Sequence, residues 1–406
     1  MNTSINSRHN VAVTVGLCFL IAVLEGFDIQ AMGVAAPRVA REFGFLPQQM
    51  GWIFSISNIG LVIGASFGGW LADKWGRKPV FIAAVATFGA FTLLTALVGS
   101  YETLLSVRFC AGLGFGAALP NMMAIAAEIS RPEKAASTAA MMFCGMPVGG
   151  GISALVTQLM PVGFDWRVLF QIGGILPMLM IPALWLLMPE TLSRTGGARE
   201  KRTGVMSALF GEGRAASTLL LWLTFLPTLL ILYLFLNWLP TLVLANGFDS
   251  TTAPRTSMAF NFGSVAGALV FGYLADRFHY RWPITLAYVA LIGALLGLGA
   301  AQGQAITVAL SAAVGFFLLG ANYALYGIAP IYYTAGIRGT GSGASVAVGR
   351  VGSIIGPLLA GVMMSSGTSA SGVVRYMVPV AAVAAVAVFA LSFRPTWSGQ
   401  RAELKH

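Results

Sequence analysis

The chain has 406 residues, of which 57% are hydrophobic and only 9% charged, and its mean hydropathy is +0.80. A soluble globular domain carries about 25% charged residues, so this composition excludes that class and points to a protein embedded in a bilayer. The net charge of +10 would suit a nucleic-acid partner, but the positions of the basic residues exclude that reading as well.

Twelve apolar runs follow one another at 11–33, 50–72, 79–99, 103–127, 136–160, 167–188, 216–243, 256–275, 283–301, 304–329, 342–365 and 374–393. Each is long enough to cross a hydrocarbon core of about 30 Å as a helix. The polar stretch 189–215 divides them. The expected fold is therefore all-α, with an N-terminal six-helix bundle over 1–190, a linker over 191–215 and a C-terminal six-helix bundle over 216–406 ending in a short tail. Most Lys and Arg residues fall on one side of this arrangement, among them Lys74, Arg77, Lys78, Arg131, Lys134, Arg202, Arg214, Arg277 and Arg338. The positive-inside rule then places both termini and the linker in the cytoplasm. Trp52, Trp166, Trp238 and Trp397 stand near run ends, where interfacial anchors are expected.

The first run follows Arg8 and opens like a signal peptide. It continues past twenty residues and carries Glu25 and Asp28, which predicts a retained first helix. Those two acids are three residues apart and share a helix face. At about 1.5 Å per residue they lie roughly 21 and 26 Å from the cytoplasmic edge. The fourth helix runs the other way, and its Arg108 comes out at roughly 22 Å. Ionisable groups inside a membrane are costly and mark functional sites by default. Two carboxylates held together at low dielectric resist joint ionisation, so one acquires a raised pKa that a neighbouring guanidinium opposes. Proton coupling needs a carboxyl of that kind, while a structural ion pair fixing helix packing is the alternative.

Between the second and third runs lies Gly69-Trp70-Leu71-Ala72-Asp73-Lys74-Trp75-Gly76-Arg77-Lys78. Glycine at 69 would admit a neighbouring helix, leaving Asp73 at the helix end to meet a cation or a helix N-terminus, as a gate would. The fourth helix continues with Gly112, Gly114 and Gly116 at small-residue spacing and then Asn121. The fifth carries Gly145-Met146-Pro147-Val148-Gly149-Gly150, which can pack closely or bend. Asn237 falls in the seventh run. A degraded copy of the charged turn, Gly272-Tyr273-Leu274-Ala275-Asp276-Arg277, then follows the eighth, and 276 − 73 = 203 is half the chain length. Such duplication is the sequence trace of a transporter built from repeated bundles. Asn322, Tyr323 and Tyr326 in the tenth run supply amides and aromatic rings that suit a flat, partly polar substrate. Arg350, eight to ten residues into the eleventh, sits nearer the midplane with no acid beside it in sequence. A guanidinium binds a carboxylate bidentately, so a substrate acid is its candidate partner; helix carbonyls or a distant acid are the alternative.

Cys18, Cys110 and Cys144 lie inside apolar runs and form neither a disulfide framework nor a metal-ligand spacing. His9, His279 and His406 lie outside them. No phosphate-binding loop or nucleophile motif is found, so no cofactor, no metal and no enzymatic activity are expected.

These residues resemble the major facilitator superfamily and, within it, the aromatic acid:proton symporters. The Gly69–Lys78 turn, its copy at 272–277 and Arg108 followed by Gly112, Gly114 and Gly116 are similar to the superfamily pattern. Glu25-Gly26-Phe27-Asp28, and Ile337-Arg338-Gly339-Thr340-Gly341 leading to Gly349-Arg350, are similar to the aromatic-acid family. The resemblance implies proton-linked uptake of an aromatic carboxylate across a bacterial inner membrane by a monomer using alternating access. It places Glu25, Asp28 and Arg108 in coupling, and Gly69, Asp73, Gly76, Arg77, Lys78, Asp276 and Arg277 in gating. Arg338 and Arg350 would handle the acid. Glutamate at 25, where most of the family has aspartate, resembles the hydroxyphenylpropionate branch and argues against a benzoate-type substrate. The second turn, ending in Phe278 and His279, departs from the pattern, so gating is expected to lean on the first. A proton-antiport exporter is the rival reading, and Arg350 argues against cationic cargo.

Overall fold

The computed structural model describes residues 3–129, 138, 141–161, 163–190, 204–277, 281–334 and 336–396, with side chains from residue 11 onward except 126, 127, 275, 276 and 281. Among the described residues there is no strand, and twelve helices are long and apolar enough to cross a bilayer. They are α1 (Thr3–Phe43), α2 (Pro47–Trp75), α3 (Arg77–Thr95), α4 (Tyr101–Ile129), α5 (Gly145–Leu159) and α6 (Arg167–Leu187). A short helix, Val205–Phe210, precedes α7 (Ala215–Ala245), α8 (Thr252–Arg277), α9 (Arg281–Ala300), α10 (Gln304–Ile328), α11 (Arg338–Ser365) and α12 (Ala370–Leu391). Lipid offers no hydrogen bonds, so each apolar run satisfies its backbone internally as a helix. Several helices outrun their apolar segments, α1 by ten residues, because Pro37, Arg38, Arg41 and Glu42 continue the turn past the hydrocarbon. Asp249 starts α8: its carboxylate accepts the Thr252 N–H at 2.8 Å and the Thr252 hydroxyl, and these bonds hold its pKa below the usual range.

Contacts divide the chain into two units. One comprises Met1–Arg194 with Leu236–Thr241 and Asp249–Met258; the other comprises Thr195–Phe235, Leu242–Phe248 and Ala259–His406. Within each, helices approach to backbone contact at glycines, and the 203-residue register recurs in that packing. In the first unit a Cβ on Gly60 would fall 2.3 Å from the Phe109 carbonyl oxygen; in the second, one on Gly263 would fall 2.3 Å from that of Ala312. Gly64 faces the Leu113 oxygen as Gly267 faces that of Phe316, and Gly112 faces Ser57 as Gly315 faces Phe260. Gly149 meets the Val23 oxygen as Gly352 meets that of Leu226. Each of these eight residues and its partner recur 203 positions apart, so α2–α4 is repeated by α8–α10, and α1–α5 by α7–α11. Small residues are the means by which helices associate closely in lipid.

Two readings change. Trp166 and Trp238 are buried, at 2% and 1% exposure, rather than open to an interface as Trp52 is, at 44%. Trp166 instead donates its indole N–H to Glu42 at 2.7 Å. Near the end of α2 it is Gly68, rather than Gly69, that admits the neighbouring helix: a Cβ there would lie 2.5 Å from the Ala117 Cα. A Cβ on Gly69 would meet no atom within 4 Å. Trp397, the linker residues 191–203 and the loop carrying Arg131 and Lys134 lie outside the described residues.

Candidate functional site

In the first unit, Arg108 Nη1 lies 2.8 Å from Asp28 Oδ2, joining α4 to α1. The pair is closed off from solvent, with side-chain exposures of 3% and 0%. Glu25, one turn earlier on α1, is also fully buried. The ion pair is satisfied on one edge only: Asp28 Oδ1 and Arg108 Nε have no hydrogen-bond partner. A buried carboxylate oxygen without a donor is an expensive arrangement. The Arg108 guanidinium also lies 5.8 Å from the centroid of the buried Phe170 ring. Phe170 packs edge-on against Trp166 at 5.7 Å, and Arg167 grips Glu42 through both carboxylate oxygens at 2.7 and 3.1 Å. The C-terminal end of α1 is thereby clasped to the start of α6, a contact not legible in sequence because the partners are 125 residues apart. Close approach of α5 to α1 at Gly145 and Gly149 completes the wall; those glycines serve packing, and Pro147 falls in the first turn of α5, where it breaks no helix.

In the second unit, Arg350 on α11 donates from Nη1 to the Tyr233 hydroxyl on α7 at 2.8 Å. Tyr326 packs edge-on against Phe225, with centroids 5.5 Å apart. Gly349 seats α11 on Phe225 and Leu229. A guanidinium among aromatic rings is a fitting receptor for a ring bearing a carboxylate. Asn322, on α10, is buried and its Oδ1 has no partner; Tyr323 beside it is half-buried. Asn121 is buried in the first unit, with Nδ2 donating to the Ala117 carbonyl at 2.8 Å and Oδ1 unpartnered. Asn237 is buried in the stretch 236–241, grouped with the first unit. Arg338 is not brought to this group: it is exposed at the first residue of α11, about 18 Å along the helix from Arg350.

At the charged turn, Arg77 reaches Asp73 at 3.4 Å and Glu128 at 3.3 Å. Its backbone N–H donates to Glu190 at 3.0 Å, so a carboxylate caps the positive end of α3. Gly76 is required by its φ of +106°, and a Cβ there would push aside the Glu190 carboxylate, 2.7 Å away at Oε2. Glu128 and Glu190 were not singled out in the sequence, since each closes on the turn from another helix end. Lys74 and Lys78 lie over the Trp70 and Trp185 rings at 5.4 and 5.9 Å. In the second turn Arg277 folds back onto the Tyr273 hydroxyl at 2.8 Å, while the Asp276 side chain, Phe278 and His279 lie outside the described residues.

Residues 18–344 match the family model described as Major Facilitator Superfamily. The chain is 38% identical over 393 residues to the 3-(3-hydroxy-phenyl)propionate transporter of Escherichia coli K12, covering 97% of this chain and 96% of that one. It is 33% identical to a 4-hydroxybenzoate transporter of Pseudomonas aeruginosa, over 92% of this chain and 90% of the other. Among solved structures, that of a D-xylose–proton symporter is similar with a TM-score of 0.77 at 14% identity, covering 96% of this chain and 98% of that one.

Proposed function

The chain belongs to the Major Facilitator Superfamily, and on that premise we propose that it imports an aromatic carboxylate together with protons, by alternating access of two six-helix halves joined by the 191–215 linker. It is a multi-pass membrane transporter rather than an enzyme. The observation that carries the proposal is the buried Asp28–Arg108 pair, with Asp28 Oδ1 unpartnered and Glu25 one turn away. Asp28, with Glu25, takes and releases the proton, and Arg108 stays charged as the partner of Asp28. Arg350 receives the carboxylate, with Tyr323, Tyr326 and Asn322 as further substrate-binding residues of the second unit, Asn121 and Asn237 as those of the first, and Arg338 near the cytoplasmic end. Asp73, Gly76, Arg77 and Lys78 gate, with Gly69, Asp276 and Arg277 in supporting parts. The protein works as a monomer in a bacterial inner membrane with both termini cytoplasmic.

Energetics support coupling. An aromatic acid is an anion at neutral pH, and a negative interior opposes its entry by about 2.3 kcal/mol per 100 mV. Carrying one proton with each anion removes that electrical barrier. The relatives named for hydroxyphenylpropionate and hydroxybenzoate transport support the substrate class, and glutamate at position 25 favours the longer acid. The test is uptake of radiolabelled 3-(3-hydroxyphenyl)propionate by cells expressing the protein, with and without a protonophore. Uptake that collapses with the protonophore is expected. Uptake indifferent to it would end the coupling assignment, and no uptake by protein located in the membrane would end the substrate assignment.

A further inference from the structure

We propose that Tyr233 is the positioning residue of the carboxylate site: its hydroxyl holds the Arg350 guanidinium in the orientation that receives the acid. This rests on the reading of Arg350 given above. Arg350 donates to the Tyr233 hydroxyl at 2.8 Å from a side chain that is half-buried, while Tyr233 itself is only 5% exposed. A guanidinium on a long flexible stem loses rotamer freedom when it binds a ligand, and a partner that fixes it beforehand removes that cost from binding.

The internal register separates this pair from ordinary packing. Gly352 on α11 meets the Leu226 carbonyl on α7 as Gly149 on α5 meets that of Val23 on α1, so the two helix pairs share one backbone frame. In that frame Arg350 stands where the first unit has Pro147, and Tyr233 stands where it has Gln30. Proline has no side-chain donor, so the first unit holds the same helices together without any such bond. The Tyr233–Arg350 pair is an addition to the scaffold in the unit that carries the aromatic group of Tyr326 and Phe225. Here one N–H of the guanidinium is tied to the hydroxyl of a buried, rigid ring.

The experiment is a double-mutant cycle on the purified full-length protein, reading the affinity for radiolabelled 3-(3-hydroxyphenyl)propionate and the melting temperature side by side. Tyr233→Phe is expected to weaken binding about ten-fold, as befits a lost hydrogen bond to a charged group. In the Arg350→Lys background the same change should cost less than about two-fold, because the geometry it sets is already gone. Tyr233→Gln, whose amide oxygen can accept the same N–H, should recover part of the affinity, and it carries the test if Tyr233→Phe gives no folded protein. Unchanged affinity in Tyr233→Phe, an equal loss in both backgrounds, or a lowered melting temperature with wild-type affinity would each overturn the proposal. A wild type that binds the acid while Arg350→Lys binds it equally well would instead remove Arg350 from the site, and this inference with it.

Discussion

At Asp28, one carboxylate oxygen is bonded to Arg108 and the other has no donor, in a fully buried side chain. Breaking such a pair from one side leaves an uncompensated buried charge, at a cost of about 3–5 kcal/mol. Arg108→Leu is therefore expected to destabilise the detergent-solubilised protein strongly, whereas Arg108→Leu combined with Asp28→Asn should regain much of the loss. A melting series in which the double variant is worse than the single would show that the pair is not the unit of stability. The charged residues of this site were legible in the sequence because ionisable groups in apolar helices stand out and helix rise gives their depth. Their division was not. Depth alone set Glu25, at roughly 21 Å, nearer than Asp28, at roughly 26 Å, to Arg108 at roughly 22 Å, and only side-chain direction made Asp28 the 2.8 Å partner. Tyr233 escaped notice for a similar reason: a tyrosine in an apolar helix carries no signal until its hydroxyl is seen on Arg350.

Among the elements, α2 carries the sharpest contrast between neighbouring positions. A Cβ at Gly68 would strike Ala117 at 2.5 Å, and one at Gly69 would meet nothing. Overpacking a fitted contact costs about 1–3 kcal/mol. Gly68→Ala should accordingly lower the melting temperature and the yield of folded protein, while Gly69→Ala leaves both unchanged; the reverse order would refute this account of α2–α4 packing. Twelve helices could be read from hydropathy because a membrane span must be apolar along its whole length. Their ends could not, because Arg38, Arg41 and Glu42 extend α1 with polar residues that hydropathy assigns to a loop. The clasp of Glu42 with Trp166 and Arg167, and the capping of α3 by Glu190, join helix ends distant in sequence, and no local pattern announces them.

Over the whole molecule, the two units share a backbone scheme and differ in the charges set upon it. In the 203-residue register Glu25, Asp28 and Arg108 correspond to Thr228, Ile231 and Ser311, and Arg350 corresponds to Pro147. Thr228 is bonded to Tyr288 at 2.5 Å and Ser311 to the Thr307 carbonyl at 2.7 Å, so those positions have become ordinary buried hydroxyls. The units share the same glycine contacts, and the proposed function divides between them: proton exchange in the first unit, anion recognition in the second. A transporter divided in this way separates into two activities under mutation. Accumulation against a gradient needs both units, whereas exchange of labelled for unlabelled substrate across a membrane without a proton gradient needs only binding and reorientation.

The direct measurement is therefore counterflow of 3-(3-hydroxyphenyl)propionate in proteoliposomes, set beside gradient-driven uptake, for the wild type, Asp28→Asn and Arg350→Lys. The account predicts that Asp28→Asn keeps counterflow and loses accumulation, and that Arg350→Lys loses both. Accumulation retained in Asp28→Asn, or counterflow retained at full affinity in Arg350→Lys, would contradict it.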